Sequence, residues 1–369
     1  MKKQLLAVAV ASAFASTAFA ANVTVYGTVD TGLVYTHQSF GGALPTNGDS
    51  SKFSMDSGVL GASKFGFKGT EDLGDGYSVS FQLENGFKAD TGALSDTDKR
   101  LFDREARLSL NTPYGTVSFG RMGALTSGLG SYDVFQAAGD AMDGGYSDYI
   151  GTGYWFSRDR YDNMITLVTP EANGFTGYAQ YSFQTKGTEN ANERANTRYA
   201  ALGLTYKAGA LEAVVVADTV LRTSTEEKTY SDAQAYSFGV NYDFGVTKAF
   251  FGAQYGNHEN IEFEFNTATT GTAKTYNNYF KGYNLHIGAA TPLPCGTLTV
   301  SAYYGDYEAE NDNTVTAKKY GFGAMHEYAI SKRTTFYTGA GFSQAELEQA
   351  DRAARVKGVN VTLGLNHKF

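Results

Sequence analysis

The chain has 369 residues and a formal charge of −8 at pH 7, and its single cysteine, Cys295, excludes an intrachain disulfide. The acidic balance argues against a nucleic-acid partner, which would favour a basic surface. Tyrosine, phenylalanine and glycine are abundant (26, 25 and 43 residues) and proline is scarce (5), a composition that favours strands and tight turns over helices.

The first twenty residues form a segment of their own. A pair of lysines precedes an apolar run from Leu5 to about Phe14, and small residues lead to Ala21. This order is typical of a secretory signal peptide, and the run is too short for a membrane-spanning helix, which needs about 20 apolar residues. We predict a signal peptide over residues 1–20, export, and a single domain over residues 21–369. Its formal charge is about −10, because the signal peptide removes two of the 30 basic residues and none of the 38 acidic ones.

The rest of the chain alternates between apolar and polar residues with a period of two, which predicts β-strands. In the last segment, Val359, Val361 and Leu363 share one parity, and glycine, asparagine and threonine occupy the other. No later stretch is apolar enough for a membrane-spanning helix, so a membrane location would require a closed barrel that pairs every backbone amide. A soluble β-sandwich shows the same alternation, which therefore leaves both folds open.

The connections between the predicted strands alternate between short and long. Seven are short and rich in turn formers, and eight are long and polar. The long ones are approximately His37–Ala62, Lys88–Lys99, Met122–Trp155, Thr185–Thr197, Val220–Ala233, Gly256–Tyr279, Asp306–Ala317 and Ser343–Arg355. Fifteen connections predict an all-β, transmembrane antiparallel barrel of about 16 strands with long external loops and both chain ends on the short-turn side. A barrel of this size leaves an aqueous lumen.

Several short motifs resemble the general, non-specific porin family of the Gram-negative outer membrane. They are Val25-Tyr26-Gly27-Thr28, Lys64 to Glu71, Phe119-Gly120-Arg121, Arg160-Tyr161-Asp162-Asn163 and the terminal Phe369. The resemblance covers the chain from residue 21 to its end. It implies a homotrimer of sixteen-stranded barrels, surrounded by lipid and lipopolysaccharide, in which the third loop folds into each lumen. It also implies that Phe369 is a C-terminal signal for the assembly machinery.

These features predict an outer-membrane pore for passive diffusion of small hydrophilic solutes and ions, with no cofactor, metal or nucleic acid. Such a pore acts through charges that face each other across a narrow passage. The predicted third loop is long and acidic, and we expect Asp133, Asp140 and Asp143 on the acidic side of the constriction. Asp133 matches an acidic position of the family. A solvated acidic hairpin outside the barrel is the alternative for this loop.

The opposite side of the constriction should be basic. Lys64 lies on the polar parity of its strand, with Phe65 and Phe67 on the apolar parity, so we expect Lys64 to project into the lumen. Arg158 and Arg160 are candidates at the sixth strand. A charge on the lipid face at mid-membrane costs about 2 to 4 kcal/mol, which favours lumen or interface positions for all these side chains.

Two further arginines compete for the basic side. Arg104 matches the family's basic position, but it shares its parity with Leu108 and Leu110, which predicts an outward side chain unless the strand shifts at a bulge. Arg107 has the polar parity and is the competing candidate. The family's first-strand basic position falls on the neutral Thr28. With this incomplete basic side and an acidic chain, we expect mild cation preference.

Three other functions fit parts of the sequence. A barrel enzyme would need a nucleophile or activated water with a positioned base, and the five scattered histidines form no such constellation, so we predict no enzyme activity. Long external loops permit a surface adhesin or binding barrel. Aromatic residues in or near the third loop permit a substrate-selective channel with an aromatic path for sugars, and they are Tyr132, Tyr146, Tyr149, Tyr154 and Trp155.

Overall fold

The computed structural model describes residues 23–42, 49–96, 98, 100–142, 155–223, 231–266, 273–349 and 352–369. The side chains of residues 42, 262–266, 273–278 and 352 are not described. The predicted signal peptide and Asp143 lie outside the described residues.

The described chain consists almost entirely of strands. The seventeen strand segments are β1 (Thr24–Gly42), β2 (Ser50–Ser57), β3 (Lys64–Gly74), β4 (Tyr77–Gly86), β5 (Glu105–Thr112), β6 (Gly115–Gly123), β7 (Arg160–Val168), β8 (Phe175–Ser182), β9 (Arg198–Ala208), β10 (Leu211–Leu221), β11 (Ala233–Asp243), β12 (Lys248–Asn266), β13 (Ala273–Leu293), β14 (Gly296–Ala309), β15 (Val315–Ala329), β16 (Thr334–Gln349) and β17 (Arg352–Lys368). One short helix, α1 (Phe135–Gly139), and a 3₁₀ turn (Glu193–Ala195) complete the regular structure of these residues. No helix in the described part of the chain is long and apolar enough to cross a membrane.

The strands form one closed antiparallel barrel. From β3 onward each strand pairs with its neighbours in the sequence, and β1 closes the ring by pairing with β17 from Thr28↔Lys368 to Gly42↔Ala354. Both β2 and β3 pair with β1, so these two segments occupy one position of the wall. The wall therefore has sixteen strand positions, which confirms the strand number predicted from the connections.

The wall is interrupted between β2 and β3 by residues 58–63. The backbone amide of Val59 donates to Asp30 Oδ1 at 2.8 Å, and the Tyr337 hydroxyl donates to the same oxygen at 3.0 Å. Asn366 donates to Asp30 Oδ2 at 2.8 Å. Asp30 is fully buried, and a buried carboxylate is tolerated when its oxygens accept hydrogen bonds. These contacts fix the interruption against β1, β16 and β17, and they set where β3 begins.

The two faces of the wall differ as the period-two pattern predicts. In β11, Tyr236 and Phe238 are 54% and 40% exposed on the outer face, whereas Ser237 and Gly239 are buried on the inner face. An apolar outer face and a polar inner face are typical of a barrel in lipid. Buried apolar clusters lie where the third loop, residues 124–159, packs against the inner face; one contains Leu125, Phe135 and Trp155.

Four of the predicted long loops are more than half strand. β12 and β13 extend through most of Gly256–Tyr279, and β16 and β17 through most of Ser343–Arg355. β14 and β15 cover more than half of Asp306–Ala317, and β1 and β2 cover more than half of His37–Ala62. A membrane-spanning strand needs about 9 to 11 residues, and β13 has 21, so its ladder continues beyond the bilayer. The predicted loop bounds were too wide there because backbone pairing does not require an apolar outer face once the strand has left the lipid.

Candidate functional site

A cavity of about 880 Å³ lies inside the barrel. Its lining comes from the interruption before β3, from the third loop, and from the ends of β15, β16 and β17. The charged members of the lining are five cations and two carboxylates: Lys64, Lys88, Arg104, Arg158, Lys368, Asp159 and Glu327. On the third loop, the lining includes uncharged residues, Ser127 to Gly130 and Gln136.

Lys64 and Arg104 share a carboxylate at one side of this cavity. Lys64 Nζ lies 3.2 Å from Glu84 Oε2, and Arg104 Nε donates to Glu84 Oε1 at 2.7 Å. The Glu84 side chain is only 3% exposed, so the two cations lie between it and the water of the cavity. Arg104 and the next residue, Glu105, both point inward, so the period-two alternation breaks at the start of β5. The conflict between parity and family position therefore disappears.

Arg107 also points inward, but it joins β5 to the third loop. Its Nε lies 2.8 Å from Glu105 Oε2, and Glu105 Oε1 accepts from the Ser131 amide at 2.5 Å. The Arg107 guanidinium carbon lies 5.3 Å from the centre of the Tyr132 ring, a cation–π distance. Arg107 is not part of the cavity lining.

Arg158 is clamped between two strands of the opposite wall. Its Nε donates to Asp218 Oδ1 at 2.6 Å, and its two Nη atoms donate to Glu259 at 2.7 and 2.8 Å. The Arg158 side chain is 6% exposed. Burial alone would lower the pKa of this guanidinium, but Asp218 and Glu259 hold it well above its ordinary value. Arg158 touches the cavity, yet its charge is matched by buried partners.

The carboxylate of Asp133 accepts hydrogen bonds from its own loop. Oδ1 accepts from the Gly128 amide at 3.1 Å, and Oδ2 accepts from the Ala137 amide at 3.0 Å. Burial raises the pKa of Asp133 to about 7, and the nearby charge of Asp140 adds to the rise. Asp133 lies beside the cavity at Gly128 but does not line it.

Asp140 attaches the third loop to β13. Its Oδ1 lies 3.1 Å from His286 Nε2, and its Oδ2 accepts from the Trp155 indole at 2.9 Å. His286 Nδ1 lies 3.1 Å from the Gly139 carbonyl oxygen. Burial would raise the pKa of Asp140, but the contacts with His286 and Trp155 hold it below its ordinary value. This carboxylate is 2% exposed and does not face the water of the cavity.

The remaining predicted residues lie at the start of β7 and at the end of the chain. Arg160 begins β7, and among the described residues its buried Nε and Nη2 have no hydrogen-bond partner. Neighbouring Arg121 donates to Asp162 Oδ1 at 2.6 Å. Phe369 closes the barrel, since its amide donates to the Gly27 carbonyl at 3.0 Å and its carbonyl accepts from the Gly27 amide at 3.2 Å.

The structure thus brings Lys64, Arg104 and Arg158 to one cavity, while Arg107, Arg160, Asp133 and Asp140 do not line it. Sequence reasoning missed the partners of these residues. They are Glu84, Glu105, Asp218, Glu259 and His286. The sequence did contain one signal for such partners, a charged residue at an inward-facing position of a strand. Asp218, for example, alternates in phase with the buried Val214 and Val216. The parity of a residue predicts which face of the wall its side chain lies on, but not which residue it contacts.

Comparisons with known proteins agree with this architecture. A family model described as Gram-negative porin matches residues 7–346. An outer membrane porin protein of Bordetella pertussis is 32% identical to this chain over 100% of both chains.

Two solved structures are similar in fold. An anion-selective porin from Comamonas acidovorans has a TM-score of 0.64 and 23% identity, covering 95% of this chain and 100% of that one. The trimer form of OmpT from Vibrio cholerae has a TM-score of 0.58 and 17% identity, again covering 95% of this chain and 100% of that one.

Proposed function

Because this chain belongs to the Gram-negative porin family and is an outer-membrane porin, we propose that its pore conducts small hydrophilic solutes and ions passively and prefers anions. The observation that carries the preference is the charge of the cavity lining. Five cations and two carboxylates line the cavity, and the part of the third loop around α1 that faces it is uncharged. Buried partners balance one of the cations, Arg158, so four cations remain against the two carboxylates. Charges that line a narrow aqueous passage decide which ions enter it.

The position of Glu84 also supports a preference for anions. Although Glu84 pairs with both Lys64 and Arg104, its side chain is 3% exposed whereas that of Lys64 is 32% exposed. A permeating ion therefore meets the cations before it meets the carboxylate that balances them. This proposal replaces the expectation of mild cation preference, which rested on the incomplete basic side of the constriction and on the net charge of the chain.

The similar porin from Comamonas acidovorans is named as anion-selective. Its identity to this chain is 23%, which shows the fold alone, so the preference proposed here rests on the lining residues. The trimer form of Vibrio cholerae OmpT supports the proposal that this porin also assembles as a homotrimer. Export through the predicted signal peptide is part of the same proposal.

The test is the reversal potential of the refolded protein in a planar bilayer under a KCl gradient. We expect chloride preference and stepwise closures in groups of three. The double variant Lys64→Gln/Arg104→Gln should shift the reversal potential toward potassium, because it exposes the uncompensated Glu84 to the cavity. Lys357→Gln is the matched control, since Lys357 is exposed on the outer face, on the parity of Val359.

Potassium preference in the unmodified protein would overturn the anion proposal. An equal shift from Lys357→Gln would show that the overall charge, and not the lining, sets the preference. Correctly folded protein that carries no current would overturn the pore itself, and closures one at a time would argue against the trimer.

A further inference from the structure

A second cavity of about 300 Å³ lies inside the barrel, next to the first. The two cavities share Trp155, Ser157 and Arg158. This last part of the third loop, which leads back to β7, therefore separates them. The rest of the second lining comes from this segment, from β10, β11, β12, β14 and β15, and from Arg222, the residue after β10.

This cavity lies on the side of the long loops. Val220 is the penultimate residue of β10, and Ala233 is the first residue of β11, at the ends joined by a long connection. The chain ends lie at the opposite rim, where Phe369 pairs with Gly27. The second cavity is therefore on the side from which a solute enters from outside.

Aromatic rings form one side of the second cavity. The Phe156 and Tyr307 rings are 5.7 Å apart and nearly perpendicular. Trp155 packs against Tyr303 with ring centres 5.9 Å apart, and its indole N–H is used by Asp140. Trp155 therefore presents apolar ring surface rather than a hydrogen-bond donor to a solute. Such rings favour planar apolar groups.

Positive charge forms the other side. The lining contains Arg158, Arg222 and Lys319 and one carboxylate, Glu259. Because Asp218 and Glu259 balance Arg158, the positive charge that a solute meets comes from Arg222 and Lys319. Glu259 is occupied by the two Nη atoms of Arg158. The Arg222 guanidinium is held at the rim by the Ser231 carbonyl and lies 4.5 Å from the centre of the Tyr279 ring.

Lys319 lies on the inner parity of β15, with the buried Val315 and Ala317, whereas its neighbour Lys318 is exposed on the outer face. The same strand thus offers one lysine that lines the cavity and one that does not.

We propose that the second cavity is a binding site for aromatic carboxylates on their way into the pore. Small-ligand sites combine apolar walls with a few fixed polar groups, and here rings face a planar group while Arg222 and Lys319 face an anion. An anion without a ring would lose the aromatic contacts, and a neutral aromatic would lose the attraction of the cations. The proposal deepens the proposed anion-preferring pore and rests on it for the route of the solute.

Trp155 gives a direct reporter, because it is the only tryptophan of the chain and lines the cavity. The experiment is a fluorescence titration of the folded full-length protein in detergent, excited at the red edge of tryptophan absorption. Benzoate is the probe, and acetate and benzyl alcohol are the controls for charge alone and ring alone. We expect saturable quenching by benzoate and none from either control.

Lys319→Gln should raise the Kd for benzoate about tenfold, which corresponds to about 1.4 kcal/mol. Lys318→Gln makes the same chemical change on the outer face and should leave the Kd unchanged. Arg222→Gln is a second variant at the rim of the cavity, and it should also raise the Kd.

Equal responses to benzoate and acetate, or equal effects of Lys319→Gln and Lys318→Gln, would overturn this site. The KCl current of the same preparation separates the two proposals. Normal chloride-preferring current without benzoate quenching would overturn the site and leave the pore intact, whereas quenching without current would overturn the pore and leave the site.

Discussion

Arg158 joins the third loop to β10 and β12 through Asp218 and Glu259. Breaking a buried ion pair by removing one partner costs about 3 to 5 kcal/mol, because the other charge stays buried without compensation. The substitution Arg158→Met leaves two carboxylates, Asp218 and Glu259, buried without their partner. We expect it to lower the free energy of unfolding by at least this amount, measured by urea denaturation of the refolded barrel in detergent.

The matched control is Arg355→Met. Arg355 pairs with Glu346 on an exposed stretch of β16 and β17, and its side chain is 45% exposed. Exposed pairs contribute at most about 1 kcal/mol, so this variant should be nearly neutral. Comparable losses from the two arginines would contradict the assignment of Arg158 as a buried tether of the loop.

Asp133 gives the third loop a pH dependence. Its pKa of about 7 lies above the ordinary value of 3.8, so the folded protein binds more protons than the unfolded chain between these values. The stabilisation by the protonated form is fully present below the unfolded pKa and is lost as pH rises through the folded pKa. We expect urea midpoints to fall between about pH 4 and about pH 7. In Asp133→Asn, the urea midpoint should decrease less over this pH range. A pH profile of the urea midpoint identical to that of the unmodified protein would rule out Asp133 as the source of the decrease.

At the scale of elements, α1 approaches the wall at glycines. A Cβ on Gly252 would lie 2.8 Å from the Gly139 carbonyl oxygen and 2.7 Å from the Trp155 ring. Gly252→Ala therefore pushes α1 or Trp155 away from β12, and overpacking of this kind costs about 1 to 3 kcal/mol. We expect lower stability and an altered single-channel conductance. Gly41→Ala is the control, because a Cβ at this β1 position meets nothing within 4 Å.

Unchanged conductance in Gly252→Ala, with stability equal to that of Gly41→Ala, would mean that this contact does not position the loop.

The elements also differ in height around the barrel. β5 has 8 residues and β13 has 21. The wall is therefore tallest on the side that includes β12 and β13.

At the scale of the whole molecule, the barrel is closed by the pairing of β1 with β17 and by Phe369. Phe369 is 47% exposed, so its ring contributes modestly to the stability of the finished barrel. If it is an assembly signal, Phe369→Ala should reduce the amount of barrel inserted in cells several-fold while the refolded protein keeps its free energy of unfolding within about 1 kcal/mol. Phe244→Ala, at a 61% exposed aromatic in a short turn, is the control. Equal yields from both variants would contradict the assembly role.

The sequence by itself determined the closed sixteen-stranded barrel, because a period of two and an alternation of short and long connections are local patterns that each strand carries in its own residues. The same parity placed Lys64 on the inner face. It misjudged Arg104, because the alternation breaks between Arg104 and Glu105 at the start of β5.

Only the tertiary structure decided which charges meet the water of the pore. Asp140, expected at the constriction, instead binds His286 on a distant strand. Arg158 does line the cavity, but Asp218 and Glu259 on distant strands balance its charge. Parity fixes the face of a wall but neither the height of a residue nor its neighbour across the lumen. Those depend on closure of the barrel and on the path of the third loop, which juxtapose residues far apart in the chain.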